Sequence, residues 1–160
     1  IKWFNHHYMQ EQLDLELAET FMAQHSQLAD IDIHYIALVI GLVKERATFV
    51  SDLWDLSFYF FKAPKAYDDK AKQKAINEGT KELMLELVTV IQQVNDFTAE
   101  NLQTDIKSWI TNKNIGFGKV MMPLRLALVG ALQGPDVFEI MFMIGKVETV
   151  ERIESLISTI

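Results

Sequence analysis

Cysteine is absent from this chain, which removes a disulfide framework, thiolate chemistry and cysteine-ligated zinc together. Four histidines are left as the only soft metal ligands. Glycine and proline are scarce, 7 and 3 among 160 residues, and they fall at intervals that suit helix ends rather than hairpins. No run of 18 apolar residues occurs, so no segment reads as a membrane span; the apolar stretch from Tyr35 to Val43 has the length of a core helix. A basic excess is missing too. The net charge of −7 argues against gripping phosphates by charge alone, so any nucleic-acid contact has to come from a local cluster. The first residue is Ile1, with neither an initiator methionine nor a signal-peptide pattern, and the chain reads as a piece of something longer.

What is present is apolar text at helical spacing. Hydrophobic residues make up 49% of the chain, enough for a sizeable core in one domain or in two small helical ones. Leu13, Leu17 and Phe21 mark a first amphipathic helix, with Asp14 and Glu16 in its first turn, where the dipole favours anions. Asp30 or Asp32 can cap the next, whose buried face is Ile33, Ile36, Val39, Ile40 and Val43. Phe49, Leu53, Leu56 and Phe60 share one side of an aromatic-rich segment that stops ahead of Pro64. The text from about Asp68 to Val94 is polar and lysine-rich in its first half and carries Leu83, Leu87, Val90, Ile91 and Val94 at helical spacing in its second. Thr98 begins a helix through Ile110, "TNKNIGFGK" is a turn cluster, and Pro123 fits the first turn of a helix that Gly130 ends. Pro135 stands near the start of the next. The last helix turns Val147, Val150, Ile153, Leu156 and Ile157 inward. Seven or eight helices with short links and no confident strand predict an all-α, irregular multi-helix array.

Candidate chemistry is sparse. His6 and His7 are adjacent, so they point to different sides of a helix, and no further ligand lies three or four residues away. His25 reads as a surface group and His34 as a helix-start residue. The paired carboxylates fall on polar faces, and "GFGK" at 116–119 lacks the strand and spacing of a phosphate loop. No active site is visible. The lysines Lys62, Lys65, Lys70, Lys72 and Lys74 form either a solvated face or an edge that contacts phosphates. Arg46 and Arg125 stand in otherwise apolar neighbourhoods, while Arg152 reads as an ordinary surface residue. Each of the first two is either a snorkelling arginine paired to a nearby glutamate or a planar fork held rigidly for a base edge. Periodicity alone leaves both readings open.

Two ends of the chain carry a resemblance. "IKWFNHHYM" resembles the K-x-W-x-N-x-x-Y segment of bacterial glutamyl-tRNA synthetases, through Lys2, Trp3, Asn5 and Tyr8. Residues 121–153 resemble that family's carboxy-terminal signature through Pro123, Leu124, Arg125, Ala127, Leu128, Gly130, Gly134, Pro135, Glu139, Gly145 and Lys146. "LVKERATFVSDLWDLSFYFF" is similar to the stretch in which basic residues precede a helix ending in aromatics. The resemblance implies a class I synthetase that joins glutamate to tRNA using ATP, with Mg, in a catalytic domain absent from these residues. The H-I-G-H-like and K-M-S-K-S-like signatures are nowhere in the chain, so by itself it should be inactive and hold no cofactor or metal. Residues 1–12 would then be the junction to the catalytic domain, and 13–160 the helical anticodon-binding domain, with subdomains at about 13–95 and 96–160. The partners implied are the anticodon loop of tRNA(Glu) and the catalytic domain of the same chain, with no DNA and no membrane, in the cytoplasm. The resemblance puts Arg125, Arg46 and Lys44 at the anticodon, and Lys62, Lys65 and Lys119 on tRNA phosphates. The rival reading is an all-helical protein-interaction module that uses Met121, Met122, Met141 and Met143 as a groove.

Overall fold

The computed structural model describes residues 14–160, so Lys2, Trp3, Asn5, His6, His7, Tyr8 and Leu13 lie outside the described residues. Nine α-helices and no strand are present among the described residues, in two compact units, 1–58 and 59–160. The all-α array is the architecture found.

In the first unit, α1 (Asp14–Gln24) packs on α2 (Ile33–Val43), and α2 on the short α3 (Leu53–Ser57). Leu17, Ala18 and Phe21 of α1 and Ile36, Val39, Ile40 and Val43 of α2 are buried, as the three- and four-residue spacings require. Asp32 is the residue that caps α2, its carboxylate accepting from the His34 amide at 3.0 Å. Gly41 keeps the helices close: a Cβ there would stand 3.0 Å from the Asp14 carboxylate. His25 is more than a surface group. Its ring stacks on Trp54, centroids 5.2 Å apart and planes 17° from parallel, and its Nδ1 lies 3.1 Å from the Phe21 carbonyl.

The second unit contains α4 (Asp69–Ala75), α5 (Thr80–Gln92), α6 (Ala99–Lys113), α7 (Gly118–Val129), α8 (Val137–Ile144) and α9 (Lys146–Ile157). Helices α5, α7 and α9 pack on one another in its middle; α4 covers α7, and α6 packs on both α5 and α8. The lysine-rich first half of the segment from Asp68 to Val94 and its striped second half are separate helices, because Asn77 and Thr80 hydrogen-bond each other's backbone and side chain and break the first before the second begins. Thr98 caps α6 through the Asn101 amide at 3.1 Å, and Asn114 closes it in the left-handed conformation.

Three expectations are corrected here. Helix α7 starts at Gly118, which puts Pro123 beyond its first turn, because the Phe117 carbonyl accepts from the Val120 and Met121 amides and opens the helix within the glycine-rich turn. Pro123 therefore sits inside the helix and forfeits the bond its amide would give Lys119. Val147, expected on the inward face of the last helix, is 72% exposed in its first turn, while Pro135 does stand at the start of α8, just before the cap Asp136, which accepts from the Phe138 amide at 2.8 Å. Arg152 is a core residue, 3% exposed, with Nη1 donating to the Tyr59 and Leu128 carbonyls at 2.7 and 2.8 Å and Nε to Glu148 at 2.7 Å.

Candidate functional site

Arg125 lies in the third turn of α7, where Leu124, Leu126, Ala127 and Leu128 are all buried. It is half-buried, and its Nη1 donates to the Pro135 carbonyl at 2.8 Å, tying the helix to the loop that leads into α8. The loop can approach so closely because of Gly134. Its φ is +124°, and a Cβ there would stand 3.0 Å from the Tyr59 hydroxyl and 3.4 Å from the Arg125 guanidinium. Gly130 does similar work one turn earlier. A side chain on it would come within 2.9 Å of both the Ala66 carbonyl and Pro64, and its own carbonyl accepts from the Asp68 amide at 2.8 Å.

Around the guanidinium the second unit forms an open hollow of about 390 Å³, within the range of small-ligand sites. Its polar lining is Arg125, Lys107, Gln103 and Asp136; Met121, Val137, Phe138 and Phe117 supply apolar walls. Two cationic donors, an amide that both donates and accepts, and a carboxylate acceptor therefore converge beside aromatic surface. That set can read the edge of an unpaired base, since the hydrogen-bonding edges of bases carry donors and acceptors side by side. Lys107, Gln103, Phe117 and Asp136 were not singled out by the sequence. They come from α6, the turn before α7 and the cap of α8, so no spacing within one helix connects them to Arg125.

The other expected residues fall elsewhere. Lys65 is exposed in the link 61–68, as is Lys62. That link is pinned through Pro64 and Ala66 against Gly130, so the lysines project from fixed backbone. Burial pushes the Tyr67 phenol in the same link above its usual 10.0. Lys119 is exposed in the first turn of α7. Lys70 and Lys74 of α4, one helical turn apart, line a second hollow of about 370 Å³ with Asp68 and the loop residues Ala131 to Gln133. Lys44 and Arg46 belong to the first unit, in the turn after α2. The Lys44 ammonium is 2.6 Å from Asp14, and Arg46, exposed, donates to the Leu42 carbonyl at 3.3 Å.

The family model described as the anticodon binding domain matches residues 14–157. The chain belongs to the anticodon-binding domain family. It is 49% identical over 162 residues to the glutamate–tRNA ligase of Flavobacterium psychrophilum and 48% over 160 to that of Christiangramia forsetii, in each case through 99% of this chain and 32% of the relative. Among solved structures, the glutamate tRNA ligase of Elizabethkingia meningosepticum, in complex with its amino acid, matches with a TM-score of 0.90 and 43% identity, over 99% of this chain and 32% of that one. The chain thus spans about a third of the length of the curated relatives it matches.

For an anticodon-binding domain, the signature residues now have physical jobs. Gly130 and Gly134 make room for the 64–66 link and for the guanidinium, and Lys146 donates to the Gln92 and Val94 carbonyls at 3.2 Å, closing the end of α5. The rival methionine groove is not favoured, because the chain belongs to the anticodon-binding domain family and Met141 is wholly buried in the core.

Proposed function

We propose that this chain is the carboxy-terminal part of a glutamate–tRNA ligase and recognises the anticodon loop of tRNA(Glu), positioning it for ATP-dependent glutamylation by a catalytic domain in the same protein. In this reading residues 1–12 join that domain and the helices from 13 onward hold the RNA. The observation that carries the reading is the Arg125 hollow: a guanidinium aimed by Pro135, with Gln103, Lys107 and Asp136 beside it, in a domain of the anticodon-binding family. Arg125 reads a base in that hollow. Arg46 and Lys44 contact the anticodon from the first unit, Lys44 exchanging Asp14 for a phosphate. Lys62, Lys65 and Lys119 touch phosphates, which orients the loop without reading its sequence.

ATP and Mg act in the catalytic domain. Among the described residues no three His or acidic side chains gather as a metal site. Its own contribution is to select and orient the RNA, which keeps the acceptor end productive for whichever tRNA the loop fits.

The test is a low-salt titration with tRNA(Glu) and with an anticodon-swapped copy. The native anticodon should bind more tightly, and Arg125→Ala should remove about 1–3 kcal/mol of that preference, the range for a good bidentate base contact. Arg125→Lys keeps the charge and loses the fork, so it should recover affinity for both RNAs without restoring the preference. Equal binding of the two RNAs by the parent would refute base reading at this site.

A further inference from the structure

Phe117 is a large apolar residue left 46% exposed, and the helix start it occupies uses only its carbonyl, which any residue supplies. Two hollows share this side chain as a wall. One, of about 390 Å³, lies beside Arg125 and Gln103; the other, of about 360 Å³, lies against Ile110 and Ile115. Lys107 lines both, and its Nζ stands 5.8 Å from the centre of the Phe117 ring. An exposed aromatic between two cavities, with an ammonium over the ring, is the arrangement used to hold unpaired nucleotides: bases stack on the ring and the cation follows the backbone.

We propose that Phe117 is a stacking wall for two successive unpaired nucleotides of the RNA loop, one base entering the Arg125 hollow and the next lying on the Ile110 and Ile115 side. This rests on the anticodon-loop reading above and adds to it a contact indifferent to base identity. Lys107 sits near the outer limit for a cation–ring contact, and one such exposed contact is worth less than one base stack. An arriving base therefore displaces the ammonium, which turns to the phosphate joining the two nucleotides. The division of labour is specific: Arg125 sets which base is preferred, and Phe117 sets how tightly any loop is held.

The experiment titrates the full 160-residue chain and its Phe117→Tyr, Phe117→Leu and Phe117→Ala variants with tRNA(Glu) and the anticodon-swapped copy, each carrying 2-aminopurine in the loop. Phe117→Leu and Phe117→Ala should weaken both RNAs by a similar factor, roughly 5- to 150-fold. Phe117→Tyr, which keeps the plane, should bind like the parent. The 2-aminopurine should be quenched by the parent and the Tyr variant and not by the Leu variant. Circular dichroism confirms that each variant is folded, and the Leu variant keeps apolar bulk if the Ala variant does not fold. If Phe117→Leu binds and quenches like the parent while Arg125→Ala still weakens binding, the stacking wall is wrong and the anticodon reading stands. If the parent binds neither RNA, both fall.

Discussion

Replacing Arg152 by alanine removes three hydrogen bonds from the middle of the second unit, and the cost can be worked from what each partner is left with. The Leu128 carbonyl lies in the last turn of α7, where the amide four residues on is outside the helix, and Arg152 reaches it at 2.8 Å. The Tyr59 carbonyl, 93 residues away in sequence, is held at 2.7 Å by the same nitrogen. A buried carbonyl that loses its donor costs up to about 1–3 kcal/mol, so the two together cost at most about 2–6. Glu148 adds little, since its side chain is 37% exposed and water replaces the guanidinium there. With an urea m-value of about 1–3 kcal/mol/M, a loss near 3 kcal/mol lowers the midpoint by about 1–3 M. The assay is urea unfolding followed by circular dichroism and by tryptophan emission, which includes Trp109 of the second unit. Arg152→Met refills the volume without supplying donors and should regain only part of the loss. A Met variant as stable as the parent would refute the reasoning, because it would mean the two carbonyls do not need the arginine.

Gly134→Ala should cost about 1–3 kcal/mol from its positive φ and should also weaken tRNA(Glu) binding, because the new Cβ meets the Tyr59 hydroxyl and the Arg125 guanidinium; thermal melts paired with the RNA titration check both halves. Asp14→Asn should lower stability by less than about 1 kcal/mol, as the Lys44 pair is partly exposed, and should raise tRNA affinity at low salt; unchanged affinity would remove Lys44 from the interface. Tyr67 has its folded pKa raised by burial, so the neutral phenol is favoured in the fold: its contribution is complete below the unfolded value near 10.0 and is lost as pH rises through the folded value. Stability curves of the parent and Tyr67→Phe should therefore run parallel at neutral pH and converge or cross only above about pH 10.

Local signals were legible where one side chain acts on its own neighbourhood. Asp32 and Thr98 cap helices because each carries an acceptor at the right distance from the first free amides, and the stripes of α1 and α2 follow directly from apolar spacing. The start of α7 was hidden because the glycines around Phe117 read as a turn, and only the observed bonds to its carbonyl extend the helix past Pro123 in that direction. Arg152 shows the limit of reading charge. It falls on the inward stripe with Thr149, Ile153 and Leu156, a signal that was available, yet the partners that make an arginine tolerable there lie 24 and 93 residues away. The Arg125 hollow is similar. The lone guanidinium in apolar text was visible, and Pro135 was close in sequence, but Lys107, Gln103 and Phe117 enter from other elements.

The acidic balance of the chain, which argued against a phosphate-gripping protein, divides unevenly between the two units. Residues 1–58 carry three Lys or Arg against nine Asp or Glu, a net −6; residues 59–160 carry twelve against thirteen, a net −1. Repulsion of RNA by the summed charge is thus a property mostly of the first unit's sequence, where Lys44 is already held by Asp14. The second unit is nearly neutral, so clusters of two or three cations there set the local field without having to overcome a large background. Lys70 with Lys74 beside one hollow, and Arg125 with Lys107 beside another, are such clusters. A near-neutral surface holds a wrong RNA only weakly, since little of its affinity comes from charge that every RNA shares. On the proposed anticodon reading, discrimination would then rest on hydrogen-bonding edges in the Arg125 hollow, where a mismatched base leaves a donor or acceptor without its partner.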